Sequence, residues 1–345
     1  MSLKQRLGID LPILQAPMAG AQGADLAVAV CGAGGLGALP CAMLGPEAMA
    51  RELESIRSRT RAPINVNFFC HAPPEPDPAA EARWREALAP YYAELDLDIA
   101  SVPAGGGRRP FDHAACDLLE AVRPEVVSFH FGLPAPELLE RVKALGAMVL
   151  SSATTVEEAL WLEARGADAI IAQGLEAGGH RGMFLAEEIT TQVGTLALLP
   201  QVKAAVEVPV IAAGGIGDAR GVAAAMALGA DAVQVGTAFL CCPEATSSRI
   251  HRQALMSEAA RHTALTNLYS GRPARGIVTR LMRELGPLGD VAPAFPLATA
   301  AIAPLRAAAE AQGSGDFSPL WAGQNASGCR EVPAAEVVEA LAAGC

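Results

Sequence analysis

A histidine preceded by two glycines lies in the segment Gln173 to Gly182, which reads QGLEAGGHRG. The segment follows a short apolar run, Ala169–Ala172, so His180 has no place on an apolar periodic face. Because imidazole titrates near neutrality, it can take up a proton or hydrogen-bond an anion. We therefore interpret His180 as a functional residue. Arg181 can be an active-site cation or a solvated surface arginine, and Glu176 could anchor the loop by hydrogen bonds.

A second histidine, His130, ends an apolar run within SFHFGLP. A substrate contact and a satisfied core histidine explain it equally well. The other histidines stand in polar or loop contexts and are expected to have no catalytic part; they are His71, His113, His251 and His262.

Two glycine-containing segments follow the last two apolar runs. Gly214 and Gly215 end the run in IAAGGI, and the segment Gln234, Val235, Gly236, Thr237 ends the next one. Glycine lets backbone N–H groups approach an anion closely, and the loops after the seventh and eighth strands of a barrel often bind phosphate. The pattern predicts a phosphate site, although tight turns alone would also account for these glycines.

An earlier glycine motif, GAGGLG at Gly32–Gly37, matches the dinucleotide pattern G-x-G-x-x-G. That fingerprint must follow a strand and open a helix. Here it follows a helix-like stretch and leads into an apolar run, so a helix C-cap with a tight turn is the better interpretation.

Weaker candidates stand elsewhere. Met18 ends the first apolar run and could pack on a flat ring, and Asn67 ends the third and offers both a donor and an acceptor. Plain core packing and an ordinary turn are their alternatives. The loop Asn267–Gly276, which contains Tyr269, Arg272 and Arg275, could close over an anion or be a solvated basic turn.

Short apolar runs alternate with helix-like stretches such as Gly45–Arg59 and Val156–Ala164. Alternation of this kind indicates parallel strands with crossover helices. We predict an α/β fold, a (β/α)8 TIM barrel, with strands at Ile13–Gln15, Leu36–Pro40, Ile64–Phe69, Val126–Phe131, Met148–Ser151, Ala169–Gln173, Val210–Ala213 and Ala232–Val235.

Two segments interrupt the alternation. Residues 71–110 form an excursion with a helix at Ala79–Ala93 and the loop GGGRR at 105–109. Residues 241–311 are too long for one crossover and are predicted to be an inserted helical substrate-binding subdomain. The barrel would then comprise residues 1–240 and 312–345, with the last segment returning to the barrel wall.

Composition excludes several classes of protein. The 345 residues carry a formal net charge of −11, which argues against a general nucleic-acid binder. The eight cysteines form no C-x-x-C pair, and we expect no metal. The first residues lack the apolar core of a signal peptide, and no apolar run has the roughly 18 residues of a membrane helix. We expect a cytoplasmic protein without membrane contact, either a monomer or a homodimer.

Taken in order, several segments of this sequence resemble the class I nitronate monooxygenases, formerly called 2-nitropropane dioxygenases. The resemblance covers almost the whole chain, and the histidine loop is its most specific part. The segments that carry it are QAPMAG, NFFCHAPP, SFHFGLP, QGLEAGGHRG, AAGGI, QVGTA, NLYSGRPARG and LWAGQ.

The resemblance implies FMN as the cofactor, no metal, and a TIM barrel with a helical substrate domain. It implies His180 as the active-site histidine and His130 as a second contact to the nitro group. The FMN contacts that it implies are Asn67, Gln173, Gly178, Gly215, Gln234, Val235, Gly236 and Thr237, with Met18 and Gly214 beside them.

The substrate that the resemblance implies is propionate 3-nitronate, oxidised with O2 to malonate semialdehyde with release of nitrite or nitrate. Some relatives line the substrate site with several tyrosines, whereas this chain has only Tyr91, Tyr92 and Tyr269. The resemblance therefore does not fix the polarity of the pocket.

Other functions fit the same barrel. An FMN-dependent NAD(P)H:quinone reductase or enoyl-acyl-carrier-protein reductase would have similar motifs, and a flavin-binding protein without turnover is a third possibility. An IMP dehydrogenase-like barrel would need a nucleophilic cysteine in a barrel loop, and no cysteine of this chain stands in a convincing one.

Overall fold

The computed structural model describes residues 1–102 and 108–345, and its largest feature is a sheet of eight parallel strands. All eight predicted strands are present, with small shifts at the ends of three of them, so the prediction of a (β/α)8 barrel is confirmed. In chain order the barrel strands are β1 (Ile13–Gln15), β2 (Gly37–Pro40), β3 (Ile64–Phe69), β4 (Val126–His130), β5 (Met148–Ala153), β6 (Ala169–Gln173), β8 (Val210–Ala213) and β9 (Ala232–Val235).

The barrel closes between its first and second strands. β1 pairs with β9 on one side, and the sheet continues from β9 around to β2. A parallel bridge between Leu14 and Leu36 joins the two ends, and the Gln15 amide donates to the Leu36 carbonyl at 2.9 Å. The carboxyl ends of all eight strands therefore surround one mouth.

Thirteen α-helices accompany the strands in the described part of the chain, and the helices predicted at Gly45–Arg59, Ala79–Ala93 and Val156–Ala164 are present to within one residue at each end. They are α1 (Leu3–Leu7), α2 (Ala24–Gly32), α3 (Pro46–Arg59), α4 (Pro78–Glu94), α5 (His113–Val122), α6 (Pro136–Ala144), α7 (Val156–Ala164), α8 (Thr195–Ala205), α9 (Ala219–Ala227), α10 (Arg249–Leu255), α11 (Arg280–Leu285), α12 (Thr299–Ala311) and α13 (Ala334–Ala342). Short 3-10 helices lie at Ile99–Ser101, Ile189–Thr191, Thr237–Phe239 and Glu258–Arg261.

Apolar side chains fill the barrel and close its lower end. Leu14, Leu150 and Ile211 point inward and pack with Leu3 and Leu7 of α1. α1 therefore covers the amino ends of the strands, opposite the mouth. The last segment returns to the barrel wall, as predicted, because Val337 and Val338 of α13 pack into the core around β1 and β9.

Residues 241–311 are not wholly helical, and the prediction of a purely helical region was incomplete. They contain β10 (Thr263–Thr266) and β11 (Ala274–Ile277), which form an antiparallel sheet with β7 (Gly179–His180). These strands are short and carry polar residues, so they show no apolar run that would predict them. The division of the chain into domains stays a prediction.

The excursion after β3 packs against this same region. Trp84 and Tyr92 of α4 share a buried cluster with Ile302 and Leu305 of α12, and the Tyr92 hydroxyl donates to the Ala301 carbonyl at 2.7 Å. The excursion and the region 241–311 thus form one layer beside the mouth. Gly105 to Gly107 of the predicted loop lie outside the described residues.

The early glycine motif makes a turn between α2 and β2, as expected. Gly34 has a φ of +87°, and a Cβ on Gly37 would lie 2.1 Å from the Ala27 carbonyl oxygen. These glycines serve the close packing of helix on strand. In the part of the chain that the structure describes, no helix is both long and apolar enough to cross a membrane.

Candidate active site

A cavity of about 340 Å3 opens at the carboxyl ends of the barrel strands. It brings together nearly all of the predicted site residues, from six different strand ends or loops. Those that line it are Met18, Asn67, His130, Gln173, Gly178, His180, Gly214, Gly215, Gln234, Gly236 and Thr237. Val235 is the exception, because its side chain is buried in the core outside the barrel and its carbonyl accepts from the Ala16 amide at 2.8 Å.

One end of the cavity is built from main chain. Gly214 and Gly215 follow β8 with φ angles of +118° and +72°, and Gly236 and Thr237 follow β9. Across residues 1–102 and 108–345, no protein group accepts a hydrogen bond from the amides of these four residues. We call the backbone N–H groups of these four residues the amide cradle. Unpaired N–H groups at adjacent strand ends are suited to an anion.

Steric limits explain why the cradle needs glycine. A Cβ on Gly214 would lie 2.8 Å from the Thr195 hydroxyl oxygen, and the positive φ is strained for any other residue. A Cβ on Gly236 would come within 3.3 Å of the Ala16 Cβ. The glycines therefore do more than make tight turns, since neighbouring protein atoms leave no room for a Cβ at Gly214 and little at Gly236.

The segment Leu320–Asn325, which includes LWAGQ, covers the cradle. The Gly323 amide donates to the Thr237 hydroxyl at 2.9 Å, and the Asn325 side chain donates to the Gly215 carbonyl at 2.9 Å. A Cβ on Gly178 would lie 2.5 Å from the Gly323 nitrogen. Gly178 is therefore a contact between the histidine loop and this segment as well as a lining residue.

Polar side chains lie beside the cradle. The buried Oε1 atom of Gln234 has no hydrogen-bond partner among the described residues. Asn67 donates to the Ser128 hydroxyl at 2.9 Å through Nδ2. The Met18 amide donates to the Gln22 side chain at 3.1 Å. An unpaired acceptor in Gln234 fits a ligand that carries a donor.

His180 lies in β7, held by a second strand and by two side chains. β7 pairs with β11, and the His180 carbonyl accepts from the Gln173 Nε2 atom at 3.0 Å. The same carbonyl lies 3.2 Å from Nε2 of His130. Gln173 also accepts from the Gly182 amide at 2.8 Å. Both ends of the Gln173 amide thus fix the histidine loop, a role that the sequence did not indicate.

His130 has a partner at each ring nitrogen. Nδ1 lies 3.0 Å from the Ser152 hydroxyl, and Nε2 faces the His180 carbonyl, which can only accept. The carbonyl therefore requires the proton on Nε2, which donates to it. Burial lowers the pKa of His130 to about 3, in agreement with a neutral ring. His130 lines the cavity, but its polar atoms are occupied by the protein.

The His180 ring points into the cavity, where Nε2 lies 2.9 Å from the Ser270 hydroxyl. Burial lowers the pKa of His180 well below its usual value, and the positive charges of Arg108 and Arg272 lower it further. His180 is therefore neutral near pH 7. A neutral imidazole can donate a hydrogen bond to an anion or accept a proton.

Four aromatic side chains surround the His180 ring, and we call them the aromatic wall. They are Phe69, Phe131, Phe295 and Trp321, whose ring centres lie 6.1, 6.1, 5.3 and 5.6 Å from that of His180. Tyr91 and Tyr92 belong to the buried cluster of α4 and α12 instead. Phenylalanine and tryptophan rings thus surround His180, and Tyr269 is the tyrosine that lines the same cavity among the described residues.

The arginines divide into structural and cavity residues. Arg181 is completely buried and donates to the carbonyls of Gly174 and Gln173 at 2.7 and 2.8 Å, so it is not a solvated surface residue. Arg275 is buried and donates to the Leu175 carbonyl at 2.9 Å. Arg272 donates to the Met183 carbonyl and stacks on Phe131. Arg108 lines the cavity.

Two residues have roles that the sequence left partly open. Glu176 anchors its loop, as predicted, because its carboxylate accepts from the Thr195 amide and hydroxyl at 2.8 and 2.7 Å. Tyr269 lines the cavity but is hydrogen-bonded to Thr279. Among the described residues, no group of three or more histidine, cysteine, aspartate or glutamate side chains could hold a metal ion.

The fold and this site are those of a (β/α)8-barrel oxidoreductase, and the comparisons with known proteins support that class. The crystal structure of nitroalkane oxidase from Streptomyces ansochromogenes superposes with a TM-score of 0.89 at 41% identity, covering 97% of this chain and 96% of that one. FabK from Thermotoga maritima superposes with a TM-score of 0.73 at 27% identity, covering 99% of this chain and 94% of that one.

The family model named nitronate monooxygenase matches residues 1–344. The chain is 44% identical to the nitronate monooxygenase of Pseudomonas aeruginosa over 97% of its own length and 96% of that protein. It is 43% identical to that of Paraburkholderia phytofirmans over 97% and 92%. The chain belongs to the nitronate monooxygenase family, and the resemblance seen in its motifs is confirmed.

The sequence missed several residues of the site. Phe69 and Phe131 stand at the carboxyl ends of β3 and β4, so barrel geometry could have placed both at the mouth. Phe295 and Trp321 lie far along the chain in segments without a strand pattern, and nothing in their neighbourhood indicates a position beside His180.

Proposed function

We propose that this chain oxidises alkyl nitronates with FMN and O2, and that propionate 3-nitronate is a substrate. The products would be the carbonyl compound and nitrite or nitrate. The observation that carries the proposal is that one cavity has the amide cradle at one end and the His180 ring within the aromatic wall at the other.

The cradle suits the phosphate of FMN. The four unpaired amides can donate to phosphate oxygens without a cationic side chain, and the unpaired Oε1 of Gln234 can accept from a flavin N–H or ribityl hydroxyl. Asn67 and Met18 lie along the same cavity. When bound, FMN would supply the redox chemistry, taking electrons from the nitronate and passing them to O2.

His180 would bind the nitronate oxygens. A nitronate is already a carbanion equivalent, so its oxidation needs no base. Since the lowered pKa makes His180 neutral and only weakly basic, the ring is better suited to hydrogen-bond a nitronate than to remove the α-proton of a nitroalkane. The Ser270 hydroxyl, 2.9 Å from Nε2, would hold the ring in position.

The aromatic wall would exclude water from the nitronate. Phe69 and Trp321 line the cavity directly, and Phe131 and Phe295 pack behind them. A dry site strengthens the hydrogen bond from His180 and protects reactive species from solvent.

Anaerobic mixing followed by absorption spectroscopy tests the proposal. The purified protein, reconstituted with FMN, is mixed without O2 with propionate 3-nitronate in one syringe and with NADH in another. We expect the nitronate to bleach the flavin band within seconds and NADH to leave it unchanged. In air, the nitronate should drive O2 uptake that needs no nicotinamide.

Two outcomes would contradict the proposal. Rapid bleaching by NADH and not by nitronate would indicate a reductase, the function that the similarity to FabK keeps as the second candidate. Bound flavin that neither compound reduces would indicate a flavin-binding protein without turnover.

A further inference from the structure

We propose that Arg108 recognises the carboxylate of the substrate and selects nitronates that carry one. This inference rests on the proposed oxidation of nitronates. It adds a residue that determines specificity and lies outside the segments that carry the family resemblance. This residue would bind the end of the substrate that is remote from the nitro group.

Arg108 lies close to His180 in the cavity. Arg108 lines the same cavity as His180, and its guanidinium carbon lies 5.6 Å from the ring centre of Phe295. The same Phe295 ring lies 5.3 Å from the ring of His180. The cation and the imidazole therefore flank one aromatic side chain, an arrangement that lets a short molecule touch both at its two ends.

Arg108 also has hydrogen-bond donors that the described residues do not use. Arg108 donates to the Thr299 hydroxyl at 3.3 Å, while its buried Nε has no partner among residues 1–102 and 108–345. Within those residues no carboxylate forms an ion pair with it. Arg181, Arg272 and Arg275 instead donate to main-chain carbonyls. Arg108 thus keeps donors for a ligand.

The charge of Arg108 and its surroundings favour an anionic ligand. Burial lowers the pKa of Arg108 to about 10, so the group stays cationic at neutral pH in a partly desolvated place. An unpaired cation in such a place is costly, and a carboxylate would offset that cost. Among the described residues that line the cavity, Glu310 is the one acidic group, and it is paired with Arg306 at 2.8 Å. The cavity near His180 is therefore positive and favours a dianion.

The shape of the ligand follows from these contacts. One end carries the nitronate, which meets His180, and the other carries a carboxylate, which meets Arg108 through paired N–H donors. The carbons between them pack on the aromatic wall. An alkyl nitronate without the carboxylate would bind His180 and the wall in the same way but would gain nothing from Arg108.

The test compares two substrates on three proteins. The substrates are propionate 3-nitronate and propyl-1-nitronate, which has the same number of carbons and no carboxylate. Arg108→Met keeps an unbranched apolar stem and removes the charged guanidinium, and Arg109→Met makes the same change at an exposed neighbour. FMN content and melting temperature verify that each variant folds.

For Arg108→Met we expect kcat/KM with propionate 3-nitronate to fall about 100-fold, mostly through KM, because a charged hydrogen bond is lost. With propyl-1-nitronate the change should stay under about 3-fold. Arg109→Met should have the same kcat/KM as the wild type with both nitronates. Butyrate, which lacks the nitro group, should inhibit the wild type competitively and Arg108→Met far more weakly, a readout independent of turnover.

Equal losses on both substrates, or no loss on either, would overturn the assignment of Arg108 while leaving nitronate oxidation intact. A wild type that binds FMN but oxidises neither nitronate would instead refute the proposed function, and the role of Arg108 with it.

Discussion

The two ends of the cavity are built in different ways. The amide cradle consists of main-chain groups at the ends of adjacent strands β8 and β9, and glycine at fixed positions keeps them accessible. The aromatic wall consists of side chains from four separate segments, and it surrounds a histidine whose neighbours are also distant in sequence. A site made of backbone depends on local sequence, whereas a site made of side chains depends on the whole fold.

Function divides in the same way. The cradle is suited to hold a constant group, the phosphate of a cofactor, and it needs no particular side chain. In the proposed function, the wall, His180 and Arg108 would face the variable part, the substrate. We therefore expect substitutions in the cradle to change cofactor affinity and substitutions around His180 to change turnover. Each set of substitutions should leave the other quantity nearly unchanged.

The sharpest test of this division is His180→Asn. Loss of the imidazole should lower kcat/KM for propionate 3-nitronate at least about 100-fold, since positioned proton or hydrogen-bond donors contribute on that scale, while the Kd for FMN stays within about 3-fold. Steady-state O2 uptake and flavin titration measure the two quantities. His262→Asn, at an exposed histidine, is the control. Unchanged turnover would remove His180 from the mechanism.

Gly214→Ala should show the opposite behaviour. The φ of +118° and the close Thr195 hydroxyl strain any Cβ here, and a strain of about 1–3 kcal/mol at the cradle corresponds to roughly 5- to 150-fold weaker FMN binding. With saturating FMN, kcat should remain near that of the wild type. Flavin fluorescence titration gives the Kd.

Gly34→Ala is the matched control for Gly214. It also has a positive φ, +87°, but it lies in the turn between α2 and β2. It should lower the free energy of unfolding by about 1 kcal/mol and leave the FMN affinity unchanged. Equal losses of FMN affinity in both variants would mean that general instability, not the cradle, determines binding.

His130→Phe tests whether the loop around His180 is held in position by its neighbours. The phenyl ring keeps the packing but loses the donor to the His180 carbonyl, so we expect kcat to fall about 10-fold with unchanged FMN affinity. His130→Gln, which retains a donor, should recover part of the loss. If the two variants behave alike, the hydrogen bond to His180 has no part in catalysis.

The last prediction concerns how the stability of the fold depends on pH. Burial lowers the pKa of His71 to about 4 and of His130 to about 3, and it lowers the pKa of His180 as well. Unfolded histidines titrate near 6.5, so the unfolded chain binds more protons below that pH. Stability is therefore complete above about pH 6.5 and falls as the pH drops toward 4, by up to about 1.4 kcal/mol per unit for each histidine.

Urea unfolding of the apoprotein at pH 7.5 and pH 5.5 measures this loss. His130→Phe should show a shallower decline than the wild type. A free energy of unfolding that does not change between the two pH values would contradict the neutral, buried state of these rings.

The sequence predicted the barrel, and nearly all of the site residues that it predicted line the cavity, because parallel strands are apolar runs and glycine marks where backbone must approach a ligand. It did not predict that Gln173 and His130 bind the His180 carbonyl, because those hydrogen bonds depend on how loops fold over the mouth. It also missed β10 and β11, whose pairing is determined by neighbours rather than by their own residues.

Arg181 illustrates the same limit. An arginine in a glycine-rich loop suggests solvent, yet the fold buries this one completely and gives its guanidinium the carbonyls of Gly174 and Gln173. Local sequence shows which groups are available, and only the fold shows which of them already have partners.

A crystal structure of the protein grown with FMN tests the central claim most directly. We predict the phosphate within hydrogen-bond distance of the amides of Gly215, Gly236 and Thr237, and the His180 imidazole facing the flavin ring in the same cavity. Protein that takes up no FMN, or a flavin bound with its phosphate away from these amides or its ring remote from His180, would contradict it.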